Sequence, residues 1–218
     1  KGNYERISPN NHANMAQSTN DAFPTAIKVC AIKKGRILVT SLQNLAAALD
    51  EKAAEFKDIL KMGRTHLQDA VPITLGQEFA AYASAVRRGA ERVEDALRRL
   101  YSVNMGATAV GTGLNAEPEY IREVAKQLAE MTQEPFVTAN NLVDATNNTD
   151  SFADISGSMK ITALALIKIA NDFRMMASGP RCGLNELELP ARQPGSSIMP
   201  GKVNPVIPEV LNQTCYQV

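Results

Sequence analysis

Three stretches of the chain repeat apolar residues at the period of an α-helix. In residues 20–56, Ile27, Ala31, Leu38, Leu42, Leu45 and Leu49 recur at threes, fours and one seven. Lys28, Lys33, Lys34, Arg36, Gln43 and Asn44 fall largely on other faces, and Gly35 interrupts the pattern. In residues 75–104, Phe79, Tyr82, Val86, Ala90, Val93, Leu97 and Leu100 follow a 3-4-4-3-4-3 spacing. In residues 142–178, Phe152, Ile155, Met159, Ala163, Leu166, Ala170 and Phe173 repeat it. Stripes sustained this long predict helices packed side by side at a shallow angle. At ~1.5 Å per residue the second and third would each run roughly 45–55 Å. Rods of that length outreach a compact monomer of 218 residues. The pattern therefore predicts an all-α bundle of long helices that oligomerises to cover its apolar surface. A shorter helix is expected over residues 117–131, with Pro118 in its first turn, and another after Pro205. No strong alternating strand pattern and no internal repeat stand out, although the region of Val137 suits a short extended piece.

Four linkers separate these helices, at residues 57–74, 106–115, 133–141 and 179–204. The last is unusual, because a helical bundle does not need so long and so specific a connection. Its second half holds Pro190, Pro194, Gly195, Pro200 and Gly201. Long ordered loops are where function tends to sit.

Composition narrows the classes. The chain has 23 Lys+Arg and 23 Asp+Glu, so it lacks the basic surplus that nucleic acid binding demands. No apolar run approaches the ~20 residues of a membrane span. Cys30, Cys182 and Cys215 are odd in number and widely spaced, which predicts three reduced thiols in a cytoplasmic protein rather than a disulfide framework. Two histidines, with no Cys/His pair at ligand spacing, predict no transition-metal site. Lys1 opens a polar stretch with no signal-peptide pattern, and Val218 closes the chain inside a helical pattern. Both ends predict a piece of a longer polypeptide.

The strongest chemical candidate is Gly195-Ser196-Ser197-Ile198-Met199-Pro200-Gly201-Lys202-Val203-Asn204-Pro205. Paired hydroxyls, a lysine, and the backbone N–H groups of a glycine-rich turn beside a helix start suit a carboxylate or an oxyanion. A flexible loop with a solvated lysine is the plain alternative. Gln17-Ser18-Thr19-Asn20-Asp21 holds more capping residues than one helix start needs. Gly63-Arg64-Thr65-His66-Leu67-Gln68 carries a histidine that is either structural or chemical. The glycines of residues 106–115 permit tight turns, and Glu209 is an ordinary charge unless it has a partner.

Taken in this order, the segments resemble the fumarase/aspartase superfamily. Its hallmark Gly-Ser-Ser-x-Met-Pro-x-Lys-x-Asn loop matches Gly195 to Asn204, and Ser18–Asp21 and Gly63–His66 look like its other two site-forming regions. The resemblance covers the whole chain. Gln17-Ser18-Thr19-Asn20-Asp21, Leu67-Gln68-Asp69-Ala70-Val71-Pro72 and Asn104-Met105-Gly106-Ala107-Thr108 fit its aspartase branch better than its fumarase branch.

The resemblance implies that residues 1–218 are the central helical domain, without the family's amino-terminal and carboxy-terminal domains, and that residues 179–204 contain a mobile catalytic loop. It implies a homotetramer whose sites are shared between three subunits, with no nucleic acid or membrane partner. The implied reaction is trans elimination of ammonia from L-aspartate, giving fumarate. Ser196 would be the base, assisted by Lys202, with His66 and Glu209 also in the catalytic set. Ser18, Thr19 and Ser197 would hold the β-carboxylate; Thr65, Lys202 and Asn204 the α-carboxylate. Asn20 and His66 would face the amino group, with Glu209 orienting His66. No organic cofactor is implied. Some aspartases are activated by divalent cations, but no dedicated ligand cluster stands out here.

A serine base is demanding. An ammonium ~4 Å away contributes roughly 4 kcal/mol at an effective dielectric of 20, about 3 pKa units. A hydroxyl needs more, so loop N–H donors and exclusion of water must add to it. That requirement predicts a loop that is open when empty and closed over substrate. The rivals are fumarate hydratase (class II) chemistry on the same scaffold, and a non-catalytic assembly module like the superfamily's lens crystallins. The isolated segment is expected to be inactive.

Overall fold

The computed structural model describes residues 2–218. Its elements, in order, are α1 (Thr19–Glu55), β1 (Leu60–Thr65), β2 (Gln68–Thr74), α2 (Leu75–Arg99), β3 (Ser102–Val103), α3 (Pro118–Thr132), β4 (Val137–Thr138), α4 (Leu142–Asn147), α5 (Asp150–Met176) and α6 (Val206–Cys215). A single π-helical turn at Pro9–Ala13 precedes them. The fold is all-α with short strands, as the periodicity predicts. Among the described residues, no helix is long and apolar enough to cross a membrane.

The chain divides into two compact units. One comprises Lys1–Leu38 and Glu94–Ile155; the other comprises Val39–Val93 and Ser156–Val218.

In the first unit, Ile32, Leu97, Leu100 and Val103 are fully enclosed. Burying side chains of this size stabilises by about 1.5–3 kcal/mol each. Gly35, the weak point of the sequence pattern, has a packing reason: a Cβ there would lie 2.5 Å from Leu97 Cδ2. The α2 stripe continues to Leu100, but the helix ends at Arg99 rather than near residue 104. Beyond it the backbone finds a better partner. β3 pairs in parallel with β4, Ser102 opposite Val137 and Val103 opposite Thr138. The extended piece expected near Val137 is therefore half of a small ladder.

In the second unit, Leu42, Ala46 and Leu49 of α1 and Phe79, Ala83, Val86, Ala90 and Val93 of α2 are buried. The Phe79 and Phe173 rings stack at 5.3 Å, and Tyr82 meets Phe173 edge-on at 5.6 Å. The Tyr82 hydroxyl donates to Asp172 at 2.8 Å, and burial pushes its ionisation well above the usual phenol range. Gly89 gives close approach to α5, since a Cβ there would meet Thr162 Cγ2 at 2.9 Å.

Besides the end of α2, the structure corrects three sequence expectations. Ile27 and Leu45 are 40% and 37% exposed, and the buried line of α1 runs through Thr25, Lys28, Ile32, Val39, Leu42, Ala46 and Leu49. The segment 142–178 is two helices, because Asn141 caps α4 by accepting from the Val143 and Asp144 N–H groups and the chain turns extended at Asn148. Finally, residues 57–74 contain an antiparallel hairpin rather than a plain linker. β2 is mostly exposed, so it lacks the alternation that reveals a half-buried strand.

Candidate active site

The first candidate segment opens α1, and the first unit holds it rigidly. The Ser18 hydroxyl accepts from the Asn20 N–H at 3.1 Å, and Asp21 Oδ1 accepts from the Ser18 N–H at 2.8 Å. This is a variant of the capping box: the hydroxyl serves the second helical N–H rather than the third, and aspartate stands in the usual glutamate position. The second Asp21 oxygen accepts from the Thr108 N–H at 2.8 Å, and Asp21 is fully buried. One carboxylate thus starts the helix and ties it to the loop of residues 106–115. Asn20 Nδ2 donates to the Ala109 carbonyl at 2.7 Å, making a second tie to that loop. Thr19 and Asn20 themselves are exposed. Asp21 does the anchoring, so the capping reading and the presentation of Ser18, Thr19 and Asn20 are compatible.

The second segment is the tip of the β1–β2 hairpin. Thr65 pairs with Gln68, leaving His66 and Leu67 as a two-residue turn. Both have positive φ, 51° and 63°. A tight hairpin turn of this hand usually recruits Asn or Gly. Two side chains with a Cβ are strained there, and such strain tends to cluster at functional positions. Gly63 makes a bulge beside Arg64, where a Cβ would lie 2.8 Å from the Val71 carbonyl oxygen. Arg64 reaches Glu186 with two bonds of 2.6 Å, and Lys61 reaches Glu186 at 2.9 Å and Glu78 at 2.8 Å. The Arg64 bonds, reinforced by Lys61, hold the Glu186 carboxyl down at a pKa of about 2 despite partial burial.

The third segment is a closed loop. A Cβ on Gly195 would lie 2.0 Å from the Lys202 carbonyl oxygen, so only glycine lets the two ends meet. Within it, the Met199 N–H donates to the Ser196 carbonyl and the Lys202 N–H to the Met199 carbonyl, both at 3.2 Å. The Ser196 hydroxyl accepts from the Ile198 N–H at 3.3 Å. Ser197 and Lys202 are exposed, and the apolar tip, Ile198 and Met199, is 83% and 45% exposed. Lys202 and Asn204 line an open cleft of about 880 Å³ that also includes Arg174 and Glu188. Glu209, on α6, faces Arg174 at 3.8 Å.

These placements sort the predicted residues. Ser18, Thr19 and Asn20 belong to the first unit. Thr65, His66, Ser196, Ser197, Lys202, Asn204 and Glu209 belong to the second. The supports were harder to read from sequence. Asp21 and Arg64 lie inside the motifs themselves, whereas Glu186 is 122 residues from Arg64 and carries no local signal. Among the described residues, no group of three His, Cys, Asp or Glu side chains could hold a metal ion.

Long helices carrying a capped Ser-Thr-Asn-Asp start, a strained Thr-His hairpin and a closed Ser-Ser…Lys-x-Asn loop define a lyase scaffold. The chain belongs to that family: the model described as Lyase matches residues 2–218. It is 56% identical over 218 residues to aspartate ammonia-lyase from Bacillus subtilis (strain 168), covering all of this chain and 46% of that protein. It is 53% identical over 216 residues to fumarate hydratase class II from Neisseria meningitidis serogroup A, covering 99% of this chain and 47% of that protein. The crystal structure of fumarate lyase:delta crystallin from Brucella melitensis bound to cobalt superposes with a TM-score of 0.95 at 48% identity, covering 99% of this chain and 47% of that one. The chain therefore spans about half the length of the relatives it matches.

Proposed function

We propose that the full polypeptide carrying these residues is an aspartate ammonia-lyase, acting reversibly on L-aspartate to give fumarate and ammonia. The observation that carries this reading is the closed loop in which Gly195 meets Lys202, gathering Ser196, Ser197 and Lys202 on one turn. The preference for aspartate is supported by the aspartase-like segments at residues 17–21, 67–72 and 104–108, and by the 56% identity to the Bacillus subtilis enzyme.

In this mechanism, Ser196 as alkoxide takes a proton from Cβ. The electron pair passes into the β-carboxylate as an aci-carboxylate, then forms the Cα–Cβ double bond as the Cα–N bond breaks. Ser18, Thr19 and Ser197 stabilise the charge that develops on the β-carboxylate, which is where fixed donors count most. Thr65, Lys202 and Asn204 hold the α-carboxylate. Asn20 and His66 receive the amino group, Glu209 orients His66, and the enzyme is a homotetramer. Three subunits build each site. The exposed Phe23, Ile27, Leu45, Ile161 and Leu164 on the long helices, and the bare Ile198–Met199 tip, support assembly and loop closure. The enzyme is cytoplasmic and needs no organic cofactor. Fumarate hydratase chemistry is the second reading, on the strength of the 53% identity to the Neisseria meningitidis protein.

The test is Ser196→Ala in the full-length chain. Turnover is expected to fall by ~10³-fold or more, with oligomeric state unchanged. Retained turnover removes Ser196 as the base.

A further inference from the structure

We propose that Arg64 and Glu186 form a positioning clamp that holds the turn carrying Thr65 and His66 against the segment leading into the Ser196 loop. The inference rests on the proposed substrate-binding roles of Thr65 and His66.

The hairpin is poorly equipped to hold its own tip. His66 and Leu67 both sit at positive φ, a conformation a free chain would leave. The ladder shifts register between Met62 and Arg64, immediately below the tip. Pro72 in β2 has no N–H to give. β2 is largely exposed, so apolar packing adds little. A strained turn persists only where its surroundings over-determine it.

Arg64 supplies what the ladder lacks. It lies one residue before Thr65 and two before His66. Its guanidinium makes a two-pronged bond to Glu186, with both distances 2.6 Å. Such a fork fixes direction as well as distance, which a lysine cannot do. Its side chain is 14% exposed and that of Glu186 22%, so water competes weakly for the pair. Lys61, 8% exposed, bonds Glu186 from a second direction and ties it to Glu78 at the start of α2. The far end is fixed as well, since the Glu186 N–H donates to the Met176 carbonyl at 2.8 Å. Two cations and two carboxylates thus tie the hairpin, α2 and the segment after α5 together, nine residues before Gly195.

A misplacement of about 1 Å in a substrate-holding group can cost roughly 10²-fold in rate. The clamp is therefore a positioning device, distinct from an ion pair that merely stabilises the fold. The test uses the full-length enzyme with Glu186→Gln, and with the charge-preserving Arg64→Lys in case the first variant folds poorly. Three readouts are taken: kcat and KM for L-aspartate, thermal midpoint, and hydrogen–deuterium exchange of peptides covering residues 60–74. Expected are a kcat loss of tenfold or more, hairpin exchange at least tenfold faster, and unchanged exchange in α2. The double variant should lose no more than the worse single one. Unchanged hairpin exchange overturns the clamp. So does faster exchange with kcat per folded enzyme intact. If the parent enzyme converts neither aspartate nor malate, the functional reading has failed, and the exchange measurement alone still decides whether Arg64 and Glu186 hold the turn.

Discussion

The side-chain amide of Asn104 donates at 3.0 Å to the backbone carbonyl of Asn20, the one carbonyl near the start of α1 that Pro24 cannot serve. A proline inside a helix has no N–H for the residue four before it. Asn104 is fully buried and fills that place, while its second amide hydrogen reaches the Thr146 hydroxyl at 3.0 Å. A backbone defect in the helix that presents Ser18, Thr19 and Asn20 is thereby repaired from the loop after β3.

Asn104→Ala should accordingly destabilise the protein by about 1–3 kcal/mol, the cost of leaving a buried acceptor unmet. Pro24→Ala restores an N–H at the right place and should recover part of that loss. Urea unfolding of the two single variants and the double variant measures the coupling. Strict additivity would mean that the two residues do not share this carbonyl.

Asp21→Asn tests the capping box. One carboxylate accepts from the Ser18 and Thr108 N–H groups, so the amide must turn an N–H toward one of two donors. A loss of about 1.5–3 kcal/mol is expected, together with a raised KM. An unchanged KM at normal stability would detach the Ser18–Asn20 segment from substrate binding.

Gly195→Ala examines the loop closure. The added methyl would sit 2.0 Å from the Lys202 carbonyl oxygen, so the loop ends must part. Activity in the full-length enzyme is expected to fall roughly 10²-fold with little change in melting temperature, because the loop adds little to the core. Retained activity would show that Ser196 and Lys202 do not need this approach.

Acid titration reads the hairpin clamp. The Glu186 carboxyl has a folded pKa of about 2 against an ordinary 4.5. A depressed carboxylate contributes stability that is fully present above the unfolded value and is lost as pH falls through the folded one. Wild type should therefore lose this contribution between pH about 4.5 and about 2. Glu186→Gln should be less stable at neutral pH and show a shallower acid slope. Parallel slopes would mean that Glu186 is not held by Arg64 and Lys61.

The α2 stripe was fully legible, because Phe79, Tyr82, Val86, Ala90, Val93 and Leu97, and Leu100 just past the helix end, are all buried. The α1 face was not. Its apolar residues occupy more than one side, and its N-terminal buried line is polar, through Asp21, Thr25 and Lys28. Buried Lys28 reaches the Ser102 carbonyl at 2.7 Å, and burial pulls its pKa down. No periodicity rule expects a lysine there. The hairpin is hard to read from sequence because β2 is mostly exposed and shows no alternation, while Glu78 and Glu186, which pair with Lys61 of β1, lie 17 and 125 residues away along the chain. The candidate site divides in the same way. The groups with chemical character were visible as motifs, but the partners that hold them, Asn104 and Glu186 above all, are set by tertiary contacts.

The most direct test of the central claim follows the absorbance of fumarate formed by the purified full-length enzyme from L-aspartate and, separately, from L-malate. Rapid conversion of aspartate with little or none of malate is the predicted result. Conversion of malate alone would contradict the account.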